Sequence, residues 1–381
     1  MCWMTWVARS TAATSPPPPL LTNEVSPPLQ VATPQALLAP TVGVSNAPSR
    51  EAQAPIDVLV PTLSAQPDTL PSIFPPWPTH QLPRSMVSLM DWANYYGVAK
   101  PRKLGTAPQS TYEIRVGDGK ALIRMGSSRA TVRGVDVILC HLPQFVGGEP
   151  ALHWLDLLKT LHPLLWVQPP MITETNRRVV IDPGHGGRDV GTGSPDNPNF
   201  EKRMTLDWAL RLRSLLEKQG YEVLLTRSND VEISLAQRVF IAEEAQAGLF
   251  ISLHFNSAYP VNGRRGLETY ALTPPGLAST VVRDGEDNMR LLFPNNGHDA
   301  ANLLLAWRIQ RGVVATAGAV DRGVQRARFM GVLRGQKRPA VLVEGGYLSN
   351  PEEARKIGDP AYRQKLAEGV ASGLKDLWVA E

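Results

Sequence analysis

The 381-residue chain sets 39 lysines and arginines against 35 aspartates and glutamates, a net charge of +4, and 43% of it is apolar. That is enough chain for two domains with a sizeable core, and the small positive excess suits an acidic partner or simply a solvated basic surface. Cys2 and Cys140 form no CxxC pair, which excludes a thiolate zinc site, and no apolar run is long enough for a transmembrane helix.

Residues 1–84 carry "SPPPPLL", "VSPPLQ" and "SIFPPWPTHQLP". Proline removes the donors that helices and sheets need, so a disordered proline-rich linker is expected. The opening "MCWMTWVARSTAATS" is apolar but short and lacks a basic lead, so no clear signal peptide is read. Residues 85–168 read as a small α+β module, either a spacer or wall-binding. "MVSLMDWANYYG" has helical spacing with Gly97 as its stop, and "YEIRVGDGKALIRM" is a hairpin about Gly-Asp-Gly. "ATVRGVDVILC" supplies two short strands, and "EPALHWLDLLKTLHPLL" is expected to be helical throughout. His141, His153 and His162 have no partners at ligand spacing and are expected to be ordinary surface or core residues.

Residues 177–381 alternate strands and helices. "RVVIDPG", "YEVLLTR", "GLFISLHFN", "GLETYAL" and "PAVLVEGGYLS" are strands. Between and after them come the helices "EKRMTLDWALRLRSLLEKQG", "SLAQRVFIAEEAQA" with Ser234 as N-cap, "DAANLLLAWRIQRGVVATAGA", "NPEEARKI" with Asn350 as N-cap, and "PAYRQKLAEGVASGLKDLW". The order predicts an α/β domain, a mainly parallel sheet flanked by helices on both faces.

Sites in such sheets gather at the carboxyl ends of strands. His185, His254 and Glu344 stand at three strand ends, and Glu201 opens the first long helix. Each alone has a bland explanation as a satisfied polar residue, a dipole-favoured glutamate or an ion-pair partner. Together they are the donor set of a zinc hydrolase, three ligands plus a general base, although the residues alone do not say which glutamate does which. The competing reading of "VVIDPGHGG" is a phosphate loop. It fails because "GHGGRDVGTGSPDNPNFEK" runs on past two prolines before a helix begins.

Within the small module, "GSSRATVRGVDVIL" followed by "GEPALHWLDLLKTL" faintly resembles the N-terminal domain of copper amine oxidases, which also occurs without catalytic function in bacterial envelope proteins. Across residues 177–381, "VVIDPGHGGRDVGTGS", "EKRMTLDWALRLRSLLEKQGYEVLLTR", "SLAQRVFIAEEAQAGLFISLHFNSA" and "PAVLVEGGYLSNPEEA" resemble the zinc-dependent N-acetylmuramoyl-L-alanine amidases that cut peptidoglycan. The resemblance implies one zinc ion on His185, Glu201 and His254, Glu344 as catalytic carboxylate, and hydrolysis of the amide between N-acetylmuramic acid and L-alanine. It implies an autolysin-like role in wall remodelling, turnover or cell separation, in the cell envelope, periplasmic or secreted. Peptidoglycan is then the partner, with room for an activator protein and none for nucleic acid. Asn256, two residues past His254, and Arg328 and Arg334 are candidate substrate residues, and Arg338 lies with the two arginines before the last strand. The 272–298 segment, with Asp284, Glu286, Asp287 and a terminal His298, is an insertion expected to gate the site or shape substrate choice. The alternatives are another zinc peptidase or carboxypeptidase, and a catalytically silent wall-binding protein.

Overall fold

A computed structural model describes residues 86–105, 110–166, 176–194, 197–283, 285 and 287–377. The proline-rich segment, Cys2, Asp284 and Glu286 lie outside the described residues. Cys140 is a free thiol, which burial pushes up to about 12.

The first described strand, β1 (Met86–Ser88), leads into α1 (Leu89–Tyr96), where the Ser88 hydroxyl accepts from the Met90 amide at 3.1 Å. Five antiparallel strands follow as a meander, β2 (Arg102–Leu104), β3 (Thr111–Val116), β4 (Gly119–Arg124), β5 (Arg129–Val132) and β6 (Val135–Ile138). Next, β7 (Gln144–Val146) pairs with β8 (Glu149–His153), which also pairs with β1. Residues Glu149–His153 are therefore strand where the pattern predicted helix. Pairing on both sides captures them, and the helical run begins only at Trp154, as α2 (Trp154–Asp156), a π-helical turn over Leu157–Leu161 and α3 (His162–Leu165).

The larger segment contributes β9 (Arg178–Pro183), β10 (Gly193–Ser194), β11 (Asn197–Phe200), α4 (Glu201–Lys218), β12 (Glu222–Leu225), α5 (Leu235–Glu244), β13 (Leu249–Asn256) and β14 (Leu267–Ala271). It continues with α6 (Asp299–Ala317), β15 (Asp321–Arg326), α7 (Gly331–Arg334), β16 (Ala340–Tyr347), α8 (Pro351–Gly358) and α9 (Pro360–Leu374). Ser234 and Gln237 form the capping box of α5, and Asn350 caps α8 through the amides of Glu352 and Glu353. The sheet is mixed, because β12, β9, β13 and β16 run parallel while β14 lies antiparallel to β16. Strand β15, "DRGVQR", has no apolar alternation to announce it. Its buried Gln325 accepts from the Thr280 hydroxyl at 2.8 Å, and buried Arg326 donates through one guanidinium nitrogen to the Lys159 carbonyl at 2.6 Å.

The two segments share one sheet. Its order is β12-β9-β13-β16-β14-β15-β6-β5-β4-β3-β2, joined where Val324 of β15 pairs with Val137 of β6. Trp307 of α6 donates to the Val132 carbonyl at 2.9 Å, and the Asp136 amide donates to Asp321 at 3.0 Å. Ile114, Ile123, Val132, Leu161, Trp208, Leu253, Ile309, Val343 and Val370 belong to one core, which lies between the sheet and α4, α6 and α9. On the opposite face a second cluster of Val180, Phe250, Tyr270, Leu333 and Leu342 packs beneath α5 and α7.

A shared core predicts that residues 86–377 melt as one cooperative unit. Calorimetry of the intact chain is expected to give a single endotherm whose van't Hoff and calorimetric enthalpies agree. Two separable transitions would contradict the continuous sheet.

Candidate metal centre

Side chains of β9, β13 and β16 alternate between the two faces, so Asp182, His254 and Glu344 project to the α5–α7 side at the carboxyl end of the sheet. His185 lies just past β9 with φ 60°. That left-handed conformation is uncommon for a residue with a Cβ, and the surrounding contacts enforce it. Two buried arginines grip the loop. Arg227 donates to the carbonyls of Pro183 at 3.0 Å and Gly184 at 2.8 Å, and Arg238 donates to the His185 carbonyl at 2.8 Å. Arg238 is neutralised by buried Asp182 at 2.6 Å, which also accepts from Thr226 at 2.6 Å and Ser252 at 2.8 Å.

Glu201, the first residue of α4, is buried between the two imidazoles. Its Oε2 lies 3.1 Å from His185 Nε2, and its Oε1 lies 2.8 Å from His254 Nδ1. The Thr192 and Phe255 amides donate to the same two oxygens, each at 3.0 Å. Burial alone would push this carboxyl up, but the hydrogen bonds and charges of His185 and His254 outweigh it and hold the group well below the usual carboxylate range. Burial works against a protonated His185 too, yet Glu201 and Asp189 together raise it. One donor atom from each of His185, Glu201 and His254 lies within 4.8 Å of the others, the only such grouping among the described residues that could hold a metal.

Two glycines make this closeness sterically possible. A Cβ on Gly184 would sit 2.3 Å from the His254 ring, and one on Gly191, at φ +69°, would sit 2.6 Å from Glu201 Oε2 and 2.7 Å from the His185 ring. The glycines of "DPGHGGRDVG" therefore pack two imidazoles and a carboxylate together, as a metal loop requires.

Glu344 is paired in register with His254 on the adjacent strand. Its Oε2 is buried without a hydrogen-bond partner, although the residue as a whole is half-buried. Burial, then the nearby charges of Glu201 and Glu268, push its carboxyl well above the usual range. A buried, unpartnered carboxylate beside a His-Glu-His cluster is costly unless a cation or reacting proton faces it, so the residues present fit a divalent metal. A cleft of about 480 Å³ leads to the cluster, bounded by His185, Asp189, Glu232, Leu235, His254 and Val332 among others.

Two contributors were not legible beforehand. Both oxygens of Asp189 lie 2.8 Å from His185 Nδ1, fixing the ring so that Nε2 faces the cluster. Glu268 stands opposite Glu344 in register and accepts from Asn256 at 3.1 Å, Tyr270 at 2.7 Å, Tyr347 at 3.2 Å and Arg322. The sequence signals that could have pointed to them are the spacing of "HGGRD" and the polar residue in the apolar strand "GLETYAL".

The remaining candidates are not members of the His185–Glu201–His254 grouping. Asn256 is occupied by Glu268 and by the Ser257 amide, the latter at 2.8 Å. Arg328 is buried and bound to Asp287 and to the carbonyls of Pro274 and Leu277, which ties down the 272–298 segment. Arg334 bonds the Arg328 carbonyl and lies over the Phe293 ring, and Arg338 pairs with Glu243. That segment leaves β14 at the end of the sheet opposite the cluster. It returns with Arg283, 4.5 Å over the Phe329 ring, whose charge acts against the rise at Glu344. His141 and His153 stack with centroids 3.6 Å apart, and His141 bonds Asp156 at 2.9 Å, while His162 packs among Tyr96 and Trp166.

The fold and this cluster define an α/β-sheet protein with a candidate metal centre at the carboxyl ends of its parallel strands. Residues 179–376 match the N-acetylmuramoyl-L-alanine amidase family, and the chain belongs to that family. It is 36% identical over 205 residues to the N-acetylmuramoyl-L-alanine amidase LytC of Bacillus subtilis (strain 168), covering 54% of this chain and 35% of LytC. It is 32% identical over 219 residues to the N-acetylmuramoyl-L-alanine amidase AmiA of Escherichia coli (strain K12), covering 52% of this chain and 75% of AmiA. The chain thus spans about a third of one relative and three quarters of the other. The solved catalytic domain of CwlV, an N-acetylmuramoyl-L-alanine amidase from Bacillus (Paenibacillus) polymyxa var. colistinus, is 32% identical with a TM-score of 0.43, covering 52% of this chain and 96% of that one.

Asp189→Ala is expected to weaken zinc binding by roughly 10–100-fold with little change in melting temperature, measured by competition with a chelating dye. Gly184→Ala is expected to displace His254 and lose zinc at full stoichiometry. If the alanine variant binds zinc as tightly as the parent, the packing described for Gly184 is wrong.

Proposed function

We propose that residues 179–376 are a monozinc amidase that hydrolyses the bond between the lactyl group of N-acetylmuramic acid and the L-alanine of the stem peptide. The observation that supports this most is the buried Glu344 carboxylate beside His185, Glu201 and His254, in a chain of the amidase family. His185, Glu201 and His254 would hold the ion, which when bound supplies Lewis-acid polarisation of the scissile carbonyl and lowers the pKa of a water.

The chain's own groups do the rest. Glu344, held where its carboxyl favours a proton, accepts one from the attacking water and delivers it to the leaving amine. Arg227, Arg238 and Asp182 keep the His185 loop rigid, so the ligands need little reorganisation when the ion arrives. The cleft beside Leu235 and Val332 admits the substrate and sheds bulk water from the reacting amide. The same reading places the protein outside the cytoplasm, with peptidoglycan as substrate and wall remodelling, turnover or cell separation as its task. Among the described residues no helix is long and apolar enough to cross a membrane.

Glu344→Gln is expected to retain one zinc per chain and lose about 10²–10⁴-fold in hydrolysis of a soluble muropeptide. Loss of zinc together with activity would make Glu344 a ligand instead. The same variant tests the electrostatics. A carboxyl whose folded pKa exceeds its ordinary 4.5 contributes stability below that value and loses it as pH rises toward the folded pKa. Metal-free Glu344→Gln should therefore melt higher than the parent near about pH 7.5, with the gap closing toward about pH 4. A gap that does not depend on pH would contradict the burial of a charge there.

A further inference from the structure

The inner face of strands β3–β6, with Ile114, Ala121, Ile123, Ala130, Val132, Val135 and Val137, belongs to the core shared with α4, α6 and α9. Their other face therefore continues the sheet face to which His254 and Glu344 project, and there no helix covers it among the described residues. It presents exposed Arg102, Arg115, Lys120, Arg124 and Arg129. Glu113 engages Arg102 and Arg115, and Asp136 engages Arg129, while Lys120 and Arg124 have no acidic partner among the described residues. Arg115 and Lys120 are direct cross-strand partners, and because Glu113 already neutralises Arg115, the unpaired positive charge of this face rests on Lys120 and Arg124 among the described residues. Beside them is a depression of about 120 Å³ lined by Thr111, Leu122, Arg124, Ser127, Arg129 and Thr131. Its walls carry two guanidinium groups and three hydroxyls, and an apolar side chain also lines it.

We propose that this face binds the carboxylate-bearing glycan that the hydrolysis leaves behind, an inference that rests on the amidase reading. Hydrolysis breaks the lactyl C–N bond. The hydroxyl of water goes to the acyl carbon and its proton to the departing amine, and the new lactyl acid ionises. Each cut thus adds a negative charge to the sugar strand and removes the bulky stem from it. The bare strand is flat enough to lie on a sheet face. Its new carboxylates match Arg124 and Lys120, the Thr111 and Ser127 hydroxyls match sugar hydroxyls, and the lactyl methyl suits Leu122, while Arg129 and Thr131 are held by Asp136. At about 120 Å³ the depression is of a size for a lactyl carboxylate rather than a stem peptide. The face would keep the enzyme on a strand it has begun to strip.

The test uses the full chain and glycan strands freed of peptide, with binding followed by sedimentation or calorimetry. The parent is expected to bind the bare glycan at least tenfold more tightly than the Lys120→Glu, Arg124→Glu double variant, with affinity falling as salt rises. Arg124→Glu alone should give an intermediate loss. Both variants alter exposed residues remote from the metal cluster, so melting temperature and turnover of a small soluble muropeptide should match the parent. Equal glycan binding by parent and double variant overturns the proposal and leaves the amidase reading standing. So does tighter binding of uncut peptidoglycan than of bare glycan in a Glu344→Gln background, which would assign the face to stem carboxylates. Failure of the parent to hydrolyse the muropeptide overturns the amidase reading itself, whatever the binding result.

Discussion

The structure depends on burying the Glu201 carboxylate between two imidazoles. A charge in that position is tolerated only when its oxygens are met by donors or by a cation. Here His185, His254 and the amides of Thr192 and Phe255 meet them. Much else follows from holding those groups in place. Gly184 and Gly191 are small because a Cβ at either would strike the cluster. Arg227 and Arg238 are buried because the His185 loop needs its carbonyls satisfied in an uncommon backbone conformation. Asp182 is buried because Arg238 is.

Glu344 is the complement of that arrangement. Glu201 is surrounded by donors, whereas Glu344 Oε2 has none. The two carboxylates are thereby driven in opposite directions, Glu201 held ionised between the imidazoles and Glu344 inclined to hold a proton. Glu268, opposite Glu344 and saturated by Asn256, Tyr270, Tyr347 and Arg322, anchors the ends of β13, β14, β15 and β16 around the same point.

The cluster was legible in the sequence because polar residues ending apolar strands contradict the local pattern, as His254 does in "ISLHFNS" and Glu344 does in "VLVEGG". The long helices were legible from their apolar spacing and caps, as with Ser234 and Asn350. What escaped depends on tertiary pairing. Strand β15 is a polar sequence held inside a sheet by its neighbours, and Glu149–His153 is drawn from a helical pattern into a strand by β1 and β7. The sheet shared by the two segments rests on Val137 meeting Val324, a contact between residues far apart in the chain that no local pattern announces. Arg328, a candidate substrate residue from its position before the last strand, is buried and bonds Asp287 and two carbonyls, contacts that only the tertiary fold sets.

The central claim is most directly tested by identifying the products of a muropeptide digest with and without chelator. A zinc amidase releases intact stem peptides with a free L-alanine amine and glycan bearing free lactyl carboxylates, both products disappearing when zinc is stripped and returning when it is restored. Release of single terminal amino acids, or cleavage unaffected by the chelator, would contradict it.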